Sequence, residues 1–459
     1  MKMSNEVDLG KEPIGRLLFI LAVPAIASQI VNALYNMVDR MYIGHIADVG
    51  ANALTGVGVC FPIIMIISAF AALVSMGGAP RASILLGQNN HKGAEKILGN
   101  CFSALVITAI VLTAGTLMFQ KPLLLLFGAS ENTLPFAIDY LTIYAVGTIF
   151  VQLTLGMNAF VSAQGFSKIS MMTVVIGAIT NIILDPVLIY GLHMGVQGAA
   201  LATVISQAIS AIWVLKFLSG DKTVIHLKKA NFKIDTQVLL PSMALGIAPF
   251  IMQATESVLV LCFNSSLLRY GGDTAVGAMT ILSSVMQFAM LPLQGLTQGG
   301  QPIISYNYGA NQAERVKKAF KLLLICCLSY STVLWALSEL FPHIFIAIFT
   351  SDPALEEITN WALRVYMGGC LLFGAQIACQ QTFIALGNAK TSAFLAMFRK
   401  IIVLIPLIYI LPMFIENKVF AVFLAEPIAD TLAVLTTVTL FIFEIKKVMR
   451  EMQGRKAKV

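Results

Sequence analysis

An all-α integral membrane protein with twelve transmembrane helices in two pseudo-symmetric six-helix bundles is predicted by three observations. The composition is too apolar for water, twelve apolar runs reach spanning length, and a repeat relates the two halves. Hydrophobic residues make up 58% of 459 positions and charged residues 12%, against roughly 45–50% and 25% in soluble chains. So few charges cannot cover a water-facing surface. Thirty Lys and Arg against 23 Asp and Glu give +7, but no basic domain exists to carry nucleic acid, so none is expected as a partner.

A spanning helix needs about 20 apolar residues to cross roughly 30 Å of hydrocarbon. Such runs fall at 15–43, 52–78, 97–119, 134–159, 168–191, 195–218, 238–267, 275–304, 318–348, 357–386, 393–414 and 417–445. The first is too long for a signal-peptide core and is expected to stay as a span. An even number of spans puts both termini on one side. Assigning every Lys and Arg to a loop leaves 25 on that side and five on the other, Arg40, Lys121, Arg269, Arg364 and Lys418. By the positive-inside rule the termini are cytoplasmic. The basic stretch from Asp221 to Asp235 reads as a cytoplasmic linker, 219–237, between an N-terminal lobe, 1–218, and a C-terminal lobe, 238–459, with a basic tail.

Shifting the chain by 222 residues places Gly77, Gly78, Pro80, Ser83, Gly87 and Asn89 on Gly299, Gly300, Pro302, Ser305, Gly309 and Asn311. Because 222 residues contain six spans, the copies are parallel repeats, and a cleft between two such bundles is where a carrier holds its substrate. The prolines are read either as bending points or as helix terminators.

The segments GGQPIISYNYGANQAERVKKAF (299–320), GGAPRASILLGQNN (77–90), NIILDPVLIYG (181–191) and GVQGAALATVISQ (195–207) resemble multidrug and toxic compound extrusion (MATE) transporters over the whole chain, and within that family its MepA-type bacterial exporters. The resemblance implies the MATE fold. It also implies a secondary active antiporter that exports lipophilic, often cationic compounds against H+ or Na+, with no cofactor, in the cytoplasmic membrane, as a monomer.

An acid at mid-bilayer costs roughly 2.5–3.5 kcal/mol. Those singled out within the predicted spans are Asp39, Asp185, Glu256, Glu426 and Asp430, with Asp139 near the entry of the fourth. On the first span Gln29, Asn32, Asn36 and Asp39 share one face. On the fifth, Asn181 and Asp185 stack four apart, and Pro186 withholds an amide from the carbonyl of Ile182. Such oxygens suit a hard cation, and paired carboxyls suit a proton. The resemblance adds Tyr35 and Asp39 as its YxxxD motif, Asn181 and Asp185 as NxxxDP, and Tyr140 and Thr203 beside them, which implies a cation site of these six residues.

In the second half Glu256 lies mid-span with no base apparent nearby, and is expected to face the cleft and attract cationic cargo together with Asn32, Asn36 and Gln376. The resemblance pairs such a glutamate with an acid on the tenth helix, where this chain carries Gln376, Gln380 and Gln381. Glu426 and Asp430 are expected either to extend this acidic lining or to sit at an outer helix end. Seven cysteines read as buried hydrophobes, and five histidines lack metal spacing. No HExxH, GxSxG or GxxxxGK[ST] occurs, which argues against an enzyme. A flippase for a lipid or lipid-linked substrate is the alternative, disfavoured because the intramembrane charges read as acidic.

Overall fold

The computed structural model describes residues 8–350 and 352–456; Lys2 and Lys458, both in the charge count, lie outside them. The spans are α1 (Ile14–Gly44), α2 (Gly50–Gly87), α3 (His91–Leu126), α4 (Leu134–Val146 and Thr148–Ala163), α5 (Ser167–Gly191) and α6 (Gly195–Ser219). A helical run, Thr236–Gly309, follows. Its 74 residues would reach about 110 Å if straight, far more than a bilayer. It breaks at Gly272, where φ is 62° and ψ is −161°, a conformation that only glycine adopts without strain. The arms on either side are α7 (236–271) and α8 (273–309). Then come α9 (Ala313–Leu340), α10 (Pro353–Met367 and Cys370–Ala385), α11 (Ala389–Phe414) and α12 (Lys418–Lys456).

Twelve spans result among the described residues, in the order expected. The helices outlast the apolar runs, α2 continuing to Gly87 and α3 starting at His91, because backbone hydrogen bonding needs no lipid. Two spans are bent more sharply than the hydropathy pattern reveals, α4 by 56° at Gly147 and α10 by 43° at Gly368–Gly369. Phe19, Leu126 and Phe414 expose 69%, 75% and 81% of their surface, a lipid-facing exterior.

Pro80 and Pro302 lie inside α2 and α8, which run on to Gly87 and Gly309; neither terminates its helix. Those terminal glycines meet. A β-carbon on Gly87 would lie 2.0 Å from the carbonyl oxygen of Tyr306, and one on Gly309 would lie 1.9 Å from that of Ile84. With an offset of 222 the two contacts are the same contact, repeated across a pseudo-twofold axis. Small residues at such crossings let backbones touch. Gly246 of α7 likewise approaches the Leu73 carbonyl of α2.

Apolar cores form within each set of six spans, around Phe160 and Leu141 in the first and around Phe263 and Phe423 in the second. A further core crosses between them, packing Leu17, Leu18 and Leu21 of α1 on Leu293, Ile303 and Leu323. The hydrogen bonds between the first six and last six spans cluster in the terminus-side half. Arg81 Nη1 donates to Val238 O at 2.8 Å and to Ser242 Oγ at 2.7 Å, and Asn307 Nδ2 donates to Leu9 O at 2.9 Å. The Gln29–Gln298 bond, 3.1 Å, is the deepest of them. The bundle is sealed on the side of its termini.

The basic linker is docked rather than free. Gln164 Oε1 accepts from Thr223 Oγ1, Val224 N and Ile225 N, and Glu95 pairs with Lys228 and His226. Asp235, which caps α7 by accepting from Gln237 N, also accepts from Lys96 Nζ at 2.7 Å. The Lys96 ammonium and the α7 amides hold this carboxyl below the usual carboxylate range. The link is fully present above that range and is lost only as pH falls beneath it. In hydrogen exchange, the Gln237 amide of the wild type should stay protected in mild acid, whereas Asp235→Ala should expose it severalfold faster at every pH above that lowered range.

A larger residue at the glycine crossing should open the seal. Gly246→Val should reduce cross-linking between cysteines placed at Arg81 and Ser242 by about tenfold relative to the same pair with Gly246 intact, given that overpacking costs roughly 1–3 kcal/mol.

Candidate functional site

Four spans of the first half bring the predicted cation-site residues together. Pro186 cannot bond back to the carbonyl of Ile182, and α5 widens into a π-helical turn at Val187–Gly191. Just before that turn, Asn181 and Asp185 are both fully buried. Asn181 Nδ2 donates to Asp185 Oδ1 at 3.3 Å and toward Thr203 Oγ1 on α6 at 3.5 Å. Asp39 of α1, 8% exposed, turns its carboxyl onto that of Asp185. Tyr140, buried near Thr203, stacks on Tyr144 at 6.2 Å, and Tyr35 lies one helical turn before Asp39 on α1.

Three oxygens of this cluster, Asp39 Oδ1, Asn181 Oδ1 and Asp185 Oδ2, are buried with no hydrogen-bond partner. Among the described residues no basic side chain bonds to either acid. Facing buried carboxyls without a basic partner are stable only with a proton or a small cation between them. The donor set fits either.

Asn32 and Asn36 do not join this cluster. Both are exposed, on the α1 face that Gln29 turns toward Gln298, and Asn36 Nδ2 bonds back to the Asn32 carbonyl.

The second half departs from expectation. Arg399 and Lys400, counted above as loop cations, lie inside α11 and are buried, so they leave the charge asymmetry, which keeps its sign. A π-helical turn at Phe398–Leu404 spans them; by widening the helix it lets two successive side chains both point inward. Lys400 pairs with Glu256, which therefore does have a base beside it, and also donates to Met252 O at 2.7 Å. Arg399 Nε donates to Asp430 Oδ1 at 2.7 Å, its Nη2 donates to Glu426 Oε1 at 2.9 Å, and its guanidinium lies 4.7 Å from the Phe373 ring centre.

Glu426 and Asp430 thus neither line an open acidic wall nor sit at a helix end; they are counter-ions of a buried arginine. Gln376, 3% exposed, borders a small cavity beside Arg399 and Lys400. The intramembrane charges are mixed in sign, so acidity alone no longer argues against an anionic cargo. The signal for this network was available in sequence: two bases lie several residues inside an apolar run, and three intramembrane acids lacked partners.

A duplicated helical bundle with buried ionisable clusters and a seal on one side defines a multi-pass membrane carrier. The chain belongs to the MatE family, a family of transporters, whose profile matches residues 24–187 and 249–410. It is 26% identical over 414 residues to the multidrug export protein MepA of Staphylococcus haemolyticus (strain JCSC1435), covering 90% of each chain. The MepA of Staphylococcus aureus (strain NCTC 8325 / PS 47) is 25% identical over 401 residues, 87% of this chain and 88% of that one. Among solved structures, an outward-facing multidrug resistance MATE family transporter of the MOP superfamily superposes with a TM-score of 0.90 at 21% identity, covering 98% of this chain and 99% of that one. The fold is that of MATE transporters.

Removing one member of the buried network should be costly. Arg399→Met leaves Glu426 and Asp430 without a counter-charge, and the purified protein should lose about 3–5 kcal/mol of stability, read as a lower melting temperature in detergent. Adding Glu426→Gln and Asp430→Asn should recover most of the loss.

Proposed function

We propose that this chain is a multidrug efflux antiporter of the cell membrane, acting as a monomer with both termini cytoplasmic. It exports lipophilic, often cationic compounds in exchange for H+ or Na+. The observation that carries this reading is the Asp39–Asp185 carboxyl pair, buried beside Asn181 and Thr203 with three oxygens unpartnered. Two carboxyls with neutral oxygens suit a singly charged ion or a proton, and Tyr35 and Tyr140 close the site toward α1 and α4.

Coupling runs through α1. Its first half is packed into the second-half core and, with Leu9 just ahead of the helix, holds the seal through Leu17, Leu21 and Gln29, while its last turns carry Asp39. A cation arriving at the carboxyl pair draws Asp39 onto α5, and its departure releases it. Pro24, which lacks an amide, lies inside the sealing stretch of α1, ahead of Gln29 and Asp39, as the point of bending. The lobes 1–218 and 238–459, joined by 219–237, rock about the glycine crossings and open the cleft to either side in turn. Glu256, Asn32, Asn36 and Gln376 contribute its substrate-facing walls.

A flippase gains no open basic cleft from Arg399 and Lys400, since both are held in ion pairs. Export of a cationic compound is therefore the better supported reading.

Asp185→Asn and Asp39→Asn should each lower efflux of a cationic dye from cells by at least about tenfold, matching a loss of about 1.4 kcal/mol in cation affinity, with membrane expression unchanged. Normal efflux by Asp185→Asn would refute the mechanism. In proteoliposomes, imposing a pH gradient and then a Na+ gradient should identify the coupling ion as the one that drives dye export.

A further inference from the structure

The ion pair of Glu256 and Lys400 is asymmetric. Only 7% of the Lys400 side chain is exposed, whereas 61% of Glu256 is open. Arg399, one position away, is committed to Asp430, Glu426 and the Phe373 ring. Lys400 holds only Glu256 and one neutral carbonyl, that of Met252. Beside its ammonium lies the small cavity bordered by Phe373, Gln376 and Gln380. The Gln376 side chain there is 3% exposed, and its Oε1 has no hydrogen-bond partner. The wall is built, and it is incompletely satisfied.

We propose that Lys400 is a tethered counter-ion that makes Glu256 a subsite for amphiphiles carrying a cation and a carboxylate together, in preference to simple monocations, an inference that rests on the export function proposed above. Any cation that engages Glu256 takes it from Lys400. The ammonium is then left with one carbonyl as its hydrogen-bond partner, since the neighbouring carboxyls of Glu426 and Asp430 are already bonded to Arg399, and a buried charge without a bonded partner is strongly unfavourable. A cargo that brings its own carboxylate gives Lys400 a new partner in the same exchange, so one ion pair is replaced by two. The Gln376 amide can turn its Nε2 toward that carboxylate, since inverting the group costs it no existing bond at Oε1. Lys400 thus works by negative selection: it penalises the cargo that arrives with a positive charge alone.

Rhodamine B, read as its ring-open coloured zwitterion, and its ethyl ester isolate this effect, because both carry the same xanthylium cation and only the first carries a free carboxylate. Binding of both dyes is measured on the full-length protein in nanodiscs for the wild type, Lys400→Arg, Lys400→Met and Lys400→Met with Glu256→Gln. Wild type and Lys400→Arg should prefer the free acid by about tenfold, and Lys400→Met should invert that preference. Adding Glu256→Gln should abolish the gain of the ester. If Lys400→Met does not fold, Glu256→Gln alone, which frees Lys400 to pair with the dye carboxylate, should weaken the ester further and widen the preference for the free acid, and a preference that fails to widen overturns the proposal. An unchanged dye ratio in folded Lys400→Met also overturns it, while the export reading stands so long as efflux of both dyes requires Asp185. A wild type that binds neither dye overturns both.

Discussion

Everything in this molecule answers to the cost of placing charge where no water can solvate it. A buried charge persists only if it is paired, hydrogen-bonded or exchangeable for an ion, and the two halves meet this constraint differently. The second half carries its cations covalently, as Arg399 and Lys400, against Glu426, Asp430 and Glu256. The first half sets Asp39 against Asp185 with no basic side chain bonded to either among the described residues. A site whose counter-ion is part of the chain is static in composition. One whose counter-ion must come from solution is chemically able to bind and release it, and that difference is the physical root of the antiport reading.

Helix α1 makes the difference consequential. The same 31-residue helix enters the second-half core at Leu17, Leu18 and Leu21 and ends beside α5 at Asp39. A change at the carboxyl pair is therefore borne by the element that also holds the seal. The seal itself rests on backbone contact at Gly87 and Gly309, where no flexible side chain absorbs displacement. Packed elements of this kind have discrete arrangements rather than a continuum, as alternating access requires.

Much of the first-half site was legible because its members lie close in sequence and on one helical face: Asn181 and Asp185 are one turn apart, and the polar face of α1 recurs at helical spacing. The second-half network was legible only as charges inside apolar runs, without their pairing. Glu256 and Lys400 are 144 positions apart, and a run read for hydropathy alone assigns a base to the nearest loop rather than to an acid on another helix. Continuity of a spanning pattern also concealed the bends at Gly147 and Gly368–Gly369, since hydropathy records length in the bilayer and not direction.

The sequence by itself determined what depends on local order and composition: twelve spans, their sequence along the chain, the duplication at an offset of 222, and the carboxyl and amide one turn apart on α5. Only the tertiary structure decided which charges meet, because pairing depends on distances between helices that the chain order does not encode. It placed Lys400 behind Glu256, gave Arg399 two acids, and left Asp39 and Asp185 to each other. The physical reason is that an apolar run specifies burial in lipid without specifying neighbours, and the energy of a buried charge is set by its neighbours.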